Sequence, residues 1–324
     1  MQNNSKDYIV VTPCKNEEKN LPNVILSITS QTIKPKLWII VDDGSSDQSL
    51  QIISKAESEY AWISKIRLEK SETYMGTHIA RVCKSGFDYA IEYCKDNTIP
   101  FDFIALVDAD NILEERYFEK LLLEFKKDER LGIASGNSAF LAIEENLRGL
   151  RTENEDINVM NEEFWQLFES PRSRVQSCRD DLPTGSARIW RKACFEETGG
   201  YLPVPLPDSV SNAKAKMKGW KTRRFNEVKI IEREGHAKQG LWNGYKEKGE
   251  SYFILGQSVS FAFIKSINYS RIKPHYIGIA YFYGYVISFM KGIKRVDDEE
   301  ILRYYRSIHQ GYYIKKLKGI FTRN

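Results

Sequence analysis

Two carboxylates, Asp108 and Asp110, are separated by a single alanine. They close the apolar run Phe103-Ile104-Ala105-Leu106-Val107 and precede a helix-like segment, Leu113 to Phe125. Like charges this close repel, and burying either one is costly unless something positive stands between them. A divalent cation carrying a phosphorylated ligand would offset that cost, because hard cations take oxygen ligands from carboxylate and diphosphate alike. Two more polar clusters follow apolar runs. Thr12 and Pro13 close Tyr8-Ile9-Val10-Val11, and Asp42-Asp43-Gly44-Ser45-Ser46-Asp47 follows Trp38-Ile39-Ile40-Val41. Taken singly, each has a local explanation. Asp, Gly and Ser dominate turns for reasons of their own, and Asn16-Glu17-Glu18 suits the first turn of a helix as a dipole complement.

What has to position these residues is legible as an alternation of elements. The β-branched runs ending at Thr12 and Val41, the segment Ile63 to Leu68 and the run before Asp108 read as strands. Between them lie helical patterns. Asn20 is placed as an N-cap with Pro22 in the first turn, and Leu21, Val24, Ile25 and Ile28 make one apolar stripe. Ser49 to Ala56 is a second helix, and the apolar spacing from Ile79 to Cys94 is a third. Strands alternating with helices imply an α/β fold with a mostly parallel sheet covered on both faces. Ligands in such sheets sit at the carboxyl ends of the strands. Thr12-Pro13, Asp42-Asp43 and Asp108-Asp110 all occupy such ends, so they are expected to share one crevice. No GxGxxG follows the first strand and no GxxxxGK[ST] occurs anywhere, which removes the dehydrogenase fingerprint and the P-loop.

The 324 residues are 42% hydrophobic and 28% charged, an ordinary globular balance with room for a large core. The net charge of +4 makes no demand for a nucleic-acid partner, and none is expected. Five cysteines, an odd number without a CxxC, read as reduced thiols. With a polar start at Met1 to Asp7 and no apolar stretch of membrane-spanning length, the expectation is a cytoplasmic chain.

Together these residues resemble the inverting family 2 glycosyltransferases of the GT-A fold. Pro13-Cys14-Lys15-Asn16-Glu17-Glu18 looks like that family's opening P-x-x-N-E-E, and Gln31 like its S-x-x-Q helix end. Val41-Asp42-Asp43-Gly44-Ser45-Ser46-Asp47 looks like V-D-D-G-S-x-D, and Asp108-Ala109-Asp110 like DxD. Thr184-Gly185-Ser186 and Gly199-Gly200-Tyr201 resemble its acceptor-side landmarks. The resemblance covers roughly the first 230 residues. It implies a GT-A nucleotide-diphospho-sugar transferase fold over 1–235, with 1–135 on the nucleotide and 136–235 on the acceptor. It also implies roles. Asp43 recognises the base, Thr12 and Pro13 line its pocket, and Glu17 and Glu18 lie beside the ribose or metal. Asp110 binds Mn²⁺ or Mg²⁺, and Asp108 holds the ribose or a metal-bound water. The family's catalytic base falls at Asp208 in Leu206-Pro207-Asp208-Ser209, where Pro207 replaces the usual preceding Glu. By spacing alone Asp208 is equally a helix N-cap, and Asp180 and Asp181 are backups. His236, one of four histidines, stands where some relatives place a third metal ligand. The partners implied are a nucleoside-diphosphate sugar donor, UDP-linked before GDP-linked, and a glycan or lipid-linked acceptor. The alternatives are a polyprenyl-phosphate glycosyl synthase and a non-catalytic nucleotide-sugar-binding subunit.

Residues 236–324 differ in composition. Aromatic residues crowd from Tyr252 to Phe289, basic residues flank them, and no acidic residue follows Glu300. A helical extension is expected there. Its helices would pack on the GT-A domain, form a homodimer contact, or lie on the inner face of a membrane as a peripheral contact.

Overall fold

The computed structural model describes residues 6–69, 75–141, 164–165, 174–175, 180–233 and 240–307. Residues 1–203 with 215–235 make one compact unit, and 204–214 with 236–324 a second.

In the first unit the expected alternation is present. β1 (Tyr8–Cys14), α1 (Leu21–Thr29), β2 (Leu37–Asp42), α2 (Ser49–Glu59) and β3 (Ile63–Arg67) come first. α3 (Met75–Asp96), β4 (Phe103–Val107), β5 (Asn111–Leu113), α4 (Tyr117–Lys127) and β6 (Leu131–Leu141) follow. Then come β7 (Arg174–Val175), β8 (Ala187–Arg191), α5 (Lys192–Glu197), α6 (Pro207–Met217), whose residues up to 214 belong to the second unit, and β9 (Lys221–Arg233). The sheet runs β3-β2-β1-β4-β8-β6-β9-β5, with β7 beside β6. The strands β3, β2, β1 and β4 are parallel, and β6 and β9 point the same way; β5, β7 and β8 oppose them. The sheet is therefore mostly parallel, as its apolar, non-alternating strands imply.

Side chains alternate between its two faces. Tyr8, Val10 and Cys14 of β1 pack with Leu21, Ile53 and Phe125 from α1, α2 and α4. Ile9 and Val11 face the other way, against Val82 and Phe87 of α3 and Phe195 of α5. Gly86 is what lets α3 lie so close. A Cβ there would sit 2.6 Å from methyls of Val11 and Val41. Gly86→Val is therefore expected to lower stability by about 2–3 kcal/mol through overpacking. A urea titration checks this, and an unchanged midpoint would show that α3 can lift off the sheet.

The order of strands forces the sheet to curl. β5 begins four residues after β4 ends, yet it stands four strands away in the ladder. Four strand spacings are about 19 Å in a flat sheet, whereas four residues reach at most about 14 Å. The bend lies in β9. Its ladder with β6 slips between Gly136 and Asn137, which pair with Phe225 and Lys229. Asn226, Glu227 and Val228 stand outside the register, and beyond them β9 keeps its ladder with β6 as far as Arg233 and takes β5 on its other edge through Ile230, Ile231 and Glu232.

Two expectations are corrected. The helix after Asp110 starts at Tyr117, not Leu113, because Asn111 to Leu113 are drawn into β5 by β9. Asn20 stands at the N-cap of α1, but its backbone is already helical and its side chain makes no cap. The amide donates to Glu17 instead, at 2.5 Å. β6 was not anticipated, because its small residues Gly132, Ala134, Ser135 and Gly136 mask the strand signal. Cys14, Cys83, Cys94 and Cys194 are buried and unbridged; Cys178 lies outside the described residues. Burial pushes the Cys14 thiol up to about 12, so it stays protonated at neutral pH.

The second unit contains α7 (Gly240–Ile254), α8 (Val259–Ser270) and α9 (Tyr276–Met290). Phe253, Ala262, Tyr281 and Tyr285 form its core. The residues 204–214 belong to it, and Lys214 pairs with Asp298 at 2.7 Å. α7 and α9 cross backbone to backbone. A Cβ on Gly249 would fall 1.9 Å from the Tyr281 carbonyl oxygen, and one on Gly284 would fall 2.0 Å from that of Lys246. Among the described residues, no helix is long and apolar enough to cross a membrane.

Candidate active site

β2, β1 and β4 are adjacent and parallel, so their carboxyl ends lie side by side. The chain goes from β1 to β2 on one side and reaches β4 on the other. The crevice between β1 and β4 is therefore the topological switch point of the sheet, where α/β proteins bind ligands. Thr12, Pro13, Asp42, Asp43, Asp108 and Asp110 all belong to these three strand ends.

The loop after β2 is tightly held. Asp42 accepts from the Ser45 amide at 3.0 Å, and Arg67 lies 3.4 Å from its other oxygen. Gly44 takes a φ of 67° that closes the turn. Asn16, itself left-handed at φ 56°, accepts from the Ser46 amide at 2.8 Å, while its own amide donates to Ser45 Oγ. Asparagine is one of the few residues that tolerate this conformation. The Glu17 amide donates to Ser49 and the Glu18 amide to Asp47. The Glu18 carboxylate accepts from the Gln48 amide at 3.1 Å. Burial pushes the Asp47 carboxyl up, but hydrogen bonds from Ser49 and Glu18 outweigh it and hold the group below its usual range. The two motifs Asn16-Glu17-Glu18 and Asp42 to Asp47 thus lock each other in place.

Asp43 sits at the centre. It is 3% exposed, and its amide donates to the Cys14 carbonyl. Its Oδ2 receives Lys15 Nζ at 2.8 Å and faces His78 Nε2 at 2.6 Å. Its Oδ1 is buried with no hydrogen-bond partner. A buried carboxylate oxygen without a donor is costly, and a ligand N–H placed there would relieve the cost. Thr12 is directed away from this oxygen: it faces the α1 side of the sheet, and its hydroxyl accepts from Trp38 Nε1 at 2.9 Å.

Asp108 and Asp110 are half-buried in the turn between β4 and β5. The turn is anchored from both directions. The Asp108 amide donates to the Ser186 carbonyl at 2.7 Å, and Asn111 Nδ2 reaches the same oxygen at 2.5 Å. Ser186 Oγ in turn donates to Glu232 on β9 at 2.5 Å. Arg188, fully buried, donates to the carbonyls of Pro183 and Thr184 and so fixes the Thr184-Gly185-Ser186 turn. Gln31 bridges α1 to this region through the Ser27 and Glu114 carbonyls and the Phe118 amide.

Among the described residues, no three His, Cys, Asp or Glu side chains cluster as a metal cage. Two half-buried carboxylates one residue apart nonetheless supply the oxygen donors that a hard divalent cation takes alongside a diphosphate. His236 lies outside the described residues. Asp208 lies in the second unit, half-buried in the first turn of α6. It is not the N-cap; Pro207 holds the first helical position, and Leu206 before it has a left-handed φ of 53°. A non-glycine residue held at positive φ stores strain, which the surrounding structure must support.

Sequence reasoning did not bring Lys15 or His78 to Asp43, nor Ser186 and Glu232 to the Asp108 turn. Lys15 lies inside a motif and could have been weighed. His78 enters from α3, more than thirty residues away, and no local pattern marks it.

Comparison with known proteins fits this architecture. The sequence family described as glycosyl transferase family 2 matches residues 9–198. An uncharacterized glycosyltransferase of Haemophilus influenzae is 27% identical over 151 residues, 47% of this chain and 54% of that protein. A poly-beta-1,6-N-acetyl-D-glucosamine synthase of Staphylococcus aureus is 24% identical over 124 residues, 38% of this chain and 26% of that protein. The match thus spans about half the length of the first relative and about a quarter of the second. Among solved structures, Staphylococcus aureus TarS in complex with UDP-GlcNAc aligns with a TM-score of 0.49 at 13% identity, over 90% of this chain and 93% of that one. A Pyrobaculum calidifontis mannosyltransferase in complex with GDP-Man and Mn²⁺ aligns with a TM-score of 0.48 at 16% identity, over 86% and 69%. The family match runs over more than half of the sequence and includes the three strand ends that form the crevice; the chain belongs to glycosyl transferase family 2, glycosyltransferases of the GT-A fold.

Proposed function

We propose that this chain transfers a sugar from a nucleoside-diphosphate sugar, UDP-linked before GDP-linked, to a hydroxyl of a glycan or lipid-linked acceptor, with inversion at the anomeric carbon. The observation that carries the donor reading is the buried, unpartnered Oδ1 of Asp43 at the end of β2. A carboxylate oxygen accepts only, so it selects a base with a ring N–H. Uracil, thymine and guanine have one, whereas cytosine and adenine present an unprotonated ring nitrogen at that place. Lys15 and His78 hold the other oxygen and fix the orientation. Pro13 walls the base pocket at the end of β1, with Thr12 behind it. Glu17 and Glu18 support the ribose side by holding the 43–49 loop.

Asp110 is the residue assigned to Mn²⁺ or Mg²⁺, with Asp108 on the ribose or a metal-bound water and His236 as a candidate further ligand. When bound there, such an ion would neutralise charge on the leaving diphosphate. Asp208 takes the proton of the acceptor hydroxyl as that oxygen attacks the face opposite the diphosphate. In this assignment residues 1–135 bind the nucleotide, 136–235 receive the acceptor, and 236–324 form an extension.

A thermal-shift panel of UDP, GDP, dTDP and CDP, each with and without Mn²⁺, tests the donor site. UDP with Mn²⁺ is expected to shift the melting temperature most and CDP least. Asp43→Asn replaces the anionic acceptor by an amide, and it is expected to weaken UDP binding roughly 10- to 100-fold, the worth of one hydrogen bond to a charged group. If no nucleotide shifts the wild-type protein even with metal, the donor reading is wrong.

A further inference from the structure

The surface of the second unit is apolar where a water-facing surface should be polar. Helix α9 has 15 residues and no charged side chain. One of its faces packs inward through Ile277, Tyr281 and Tyr285. The opposite face is bare: Tyr276, Ile279, Tyr283 and Met290, at helical spacings of three, four and seven, are all exposed, Ile279 by 61% and Met290 by 74%. A second stripe, Val259, Phe263 and Ile267, runs along α8 at spacings of four. The two stripes join, since Phe263 meets Phe282 with ring centroids 5.6 Å apart. On the other flank Trp242 of α7 touches Tyr276 and Tyr283, both at 6.2 Å. Three helices thus share one continuous exposed apolar and aromatic surface, of the kind that marks a contact site on a soluble domain.

Its charges say what it contacts. From Ser251 to Val296 the chain holds six Lys and Arg residues and no Asp or Glu. Lys265 lies within α8 over the Tyr252 ring, and the other five stand near the ends of α9. Arg271 and Lys273 immediately precede α9, Lys291 and Lys294 immediately follow it, and all four are exposed. A second copy of this chain would bring the same cations face to face across a two-fold axis, which opposes association. An anionic bilayer complements them. Phosphate headgroups take the cations at the ends, the tyrosines and Trp242 suit the headgroup boundary, and the aliphatic side chains enter the acyl region. At 15 residues α9 is about 22 Å long, short of the roughly 30 Å hydrocarbon core, so it lies in the interface rather than crossing it.

We infer that the α7–α9 surface is a peripheral docking face for an anionic lipid bilayer. The inference does not depend on the sugar-transfer reading, because none of its residues belongs to the donor crevice.

Co-sedimentation of the full chain with phosphatidylcholine vesicles, with and without phosphatidylglycerol, tests it. Binding to the mixed vesicles is expected to be at least about tenfold tighter than to neutral ones, since each juxtaposed cation is worth about a factor of five. It should be largely lost near 1 M salt, where the Debye length falls to about 3 Å. The double variant Ile279→Glu with Met290→Glu removes apolar insertion and adds repulsion. It is expected to stay in the supernatant with an unchanged melting temperature. Failure of the wild type to sediment with mixed vesicles overturns the inference. So does a variant that still sediments, or a concentration-dependent dimer in sedimentation equilibrium that the double substitution dissolves.

Discussion

Asp208→Asn is expected to lower turnover to a hydroxyl acceptor by about a thousandfold, the middle of the range for losing a positioned general base. Binding of UDP with Mn²⁺ should stay within about twofold of wild type, a change below ~0.5 kcal/mol. The substitution keeps the shape of the side chain and removes its capacity to take a proton. It also keeps the strained entry at Leu206, which is set by the backbone. Release of nucleoside diphosphate, followed with glycan acceptors and separately with a polyprenyl phosphate, gives a three-way result. Loss with glycans alone supports Asp208 as the base. Survival with glycans removes it from that role and returns attention to Asp180 and Asp181. Turnover with the phosphate acceptor alone, insensitive to the substitution, favours a polyprenyl-phosphate synthase, because an already anionic nucleophile needs no base.

Asp110→Asn is expected to abolish the metal-dependent part of nucleotide binding and with it all measurable transfer. In the wild type, UDP with Mn²⁺ at a hundred times its dissociation constant stabilises the native state by about 2.7 kcal/mol. For a unit of this size that is a rise of roughly 5–10 °C in melting temperature. The variant should show no difference between UDP with and without Mn²⁺, because an amide does not replace the lost anionic ligand. Its own melting temperature without ligand should equal or exceed that of the wild type, since one of two adjacent negative charges is gone. A retained Mn²⁺ response would move the metal elsewhere and leave Asp110 as a structural residue.

The parts of the site that sequence reasoning found share a physical property. β1, β2 and β4 are buried on both faces, so their β-branched runs stand out, and each ends abruptly in polar residues. Their adjacency follows from right-handed parallel connections, a rule with few exceptions. The parts that it missed depend on distance along the chain. β6 is rich in small residues where its neighbours come close, since a Cβ on Gly132 would sit 2.6 Å from Cys194 Sγ and one on Gly136 2.5 Å from the Val228 carbonyl oxygen, so its apolar signal is faint. β5 is three residues long and is a strand only because the edge of β9 pairs with it. The meeting of Lys15 and His78 on one oxygen of Asp43 joins two elements that share no pattern. The C-terminal helices were legible as composition, but which side chains face water is set by the glycine-mediated crossing of α7 and α9.

The pairing of β5 with β9 also has a consequence for how the protein is made. Ile112 finds its partner Ile231 about 120 residues further along the chain. At a synthesis rate of about 5–20 residues per second, the ribosome needs roughly 6–24 s to supply it. Through that interval the Asp108 turn lacks its far anchor, and Ser186 and Glu232 have not yet met. The nascent chain can assemble β3, β2, β1 and β4, yet it cannot hold the two carboxylates in their final geometry. The turn that carries Asp108 and Asp110 is thereby left incomplete until the last strand of the sheet has emerged, and a ribosome stalled before residue 230 would carry an open sheet edge beside β4, ready for a chaperone.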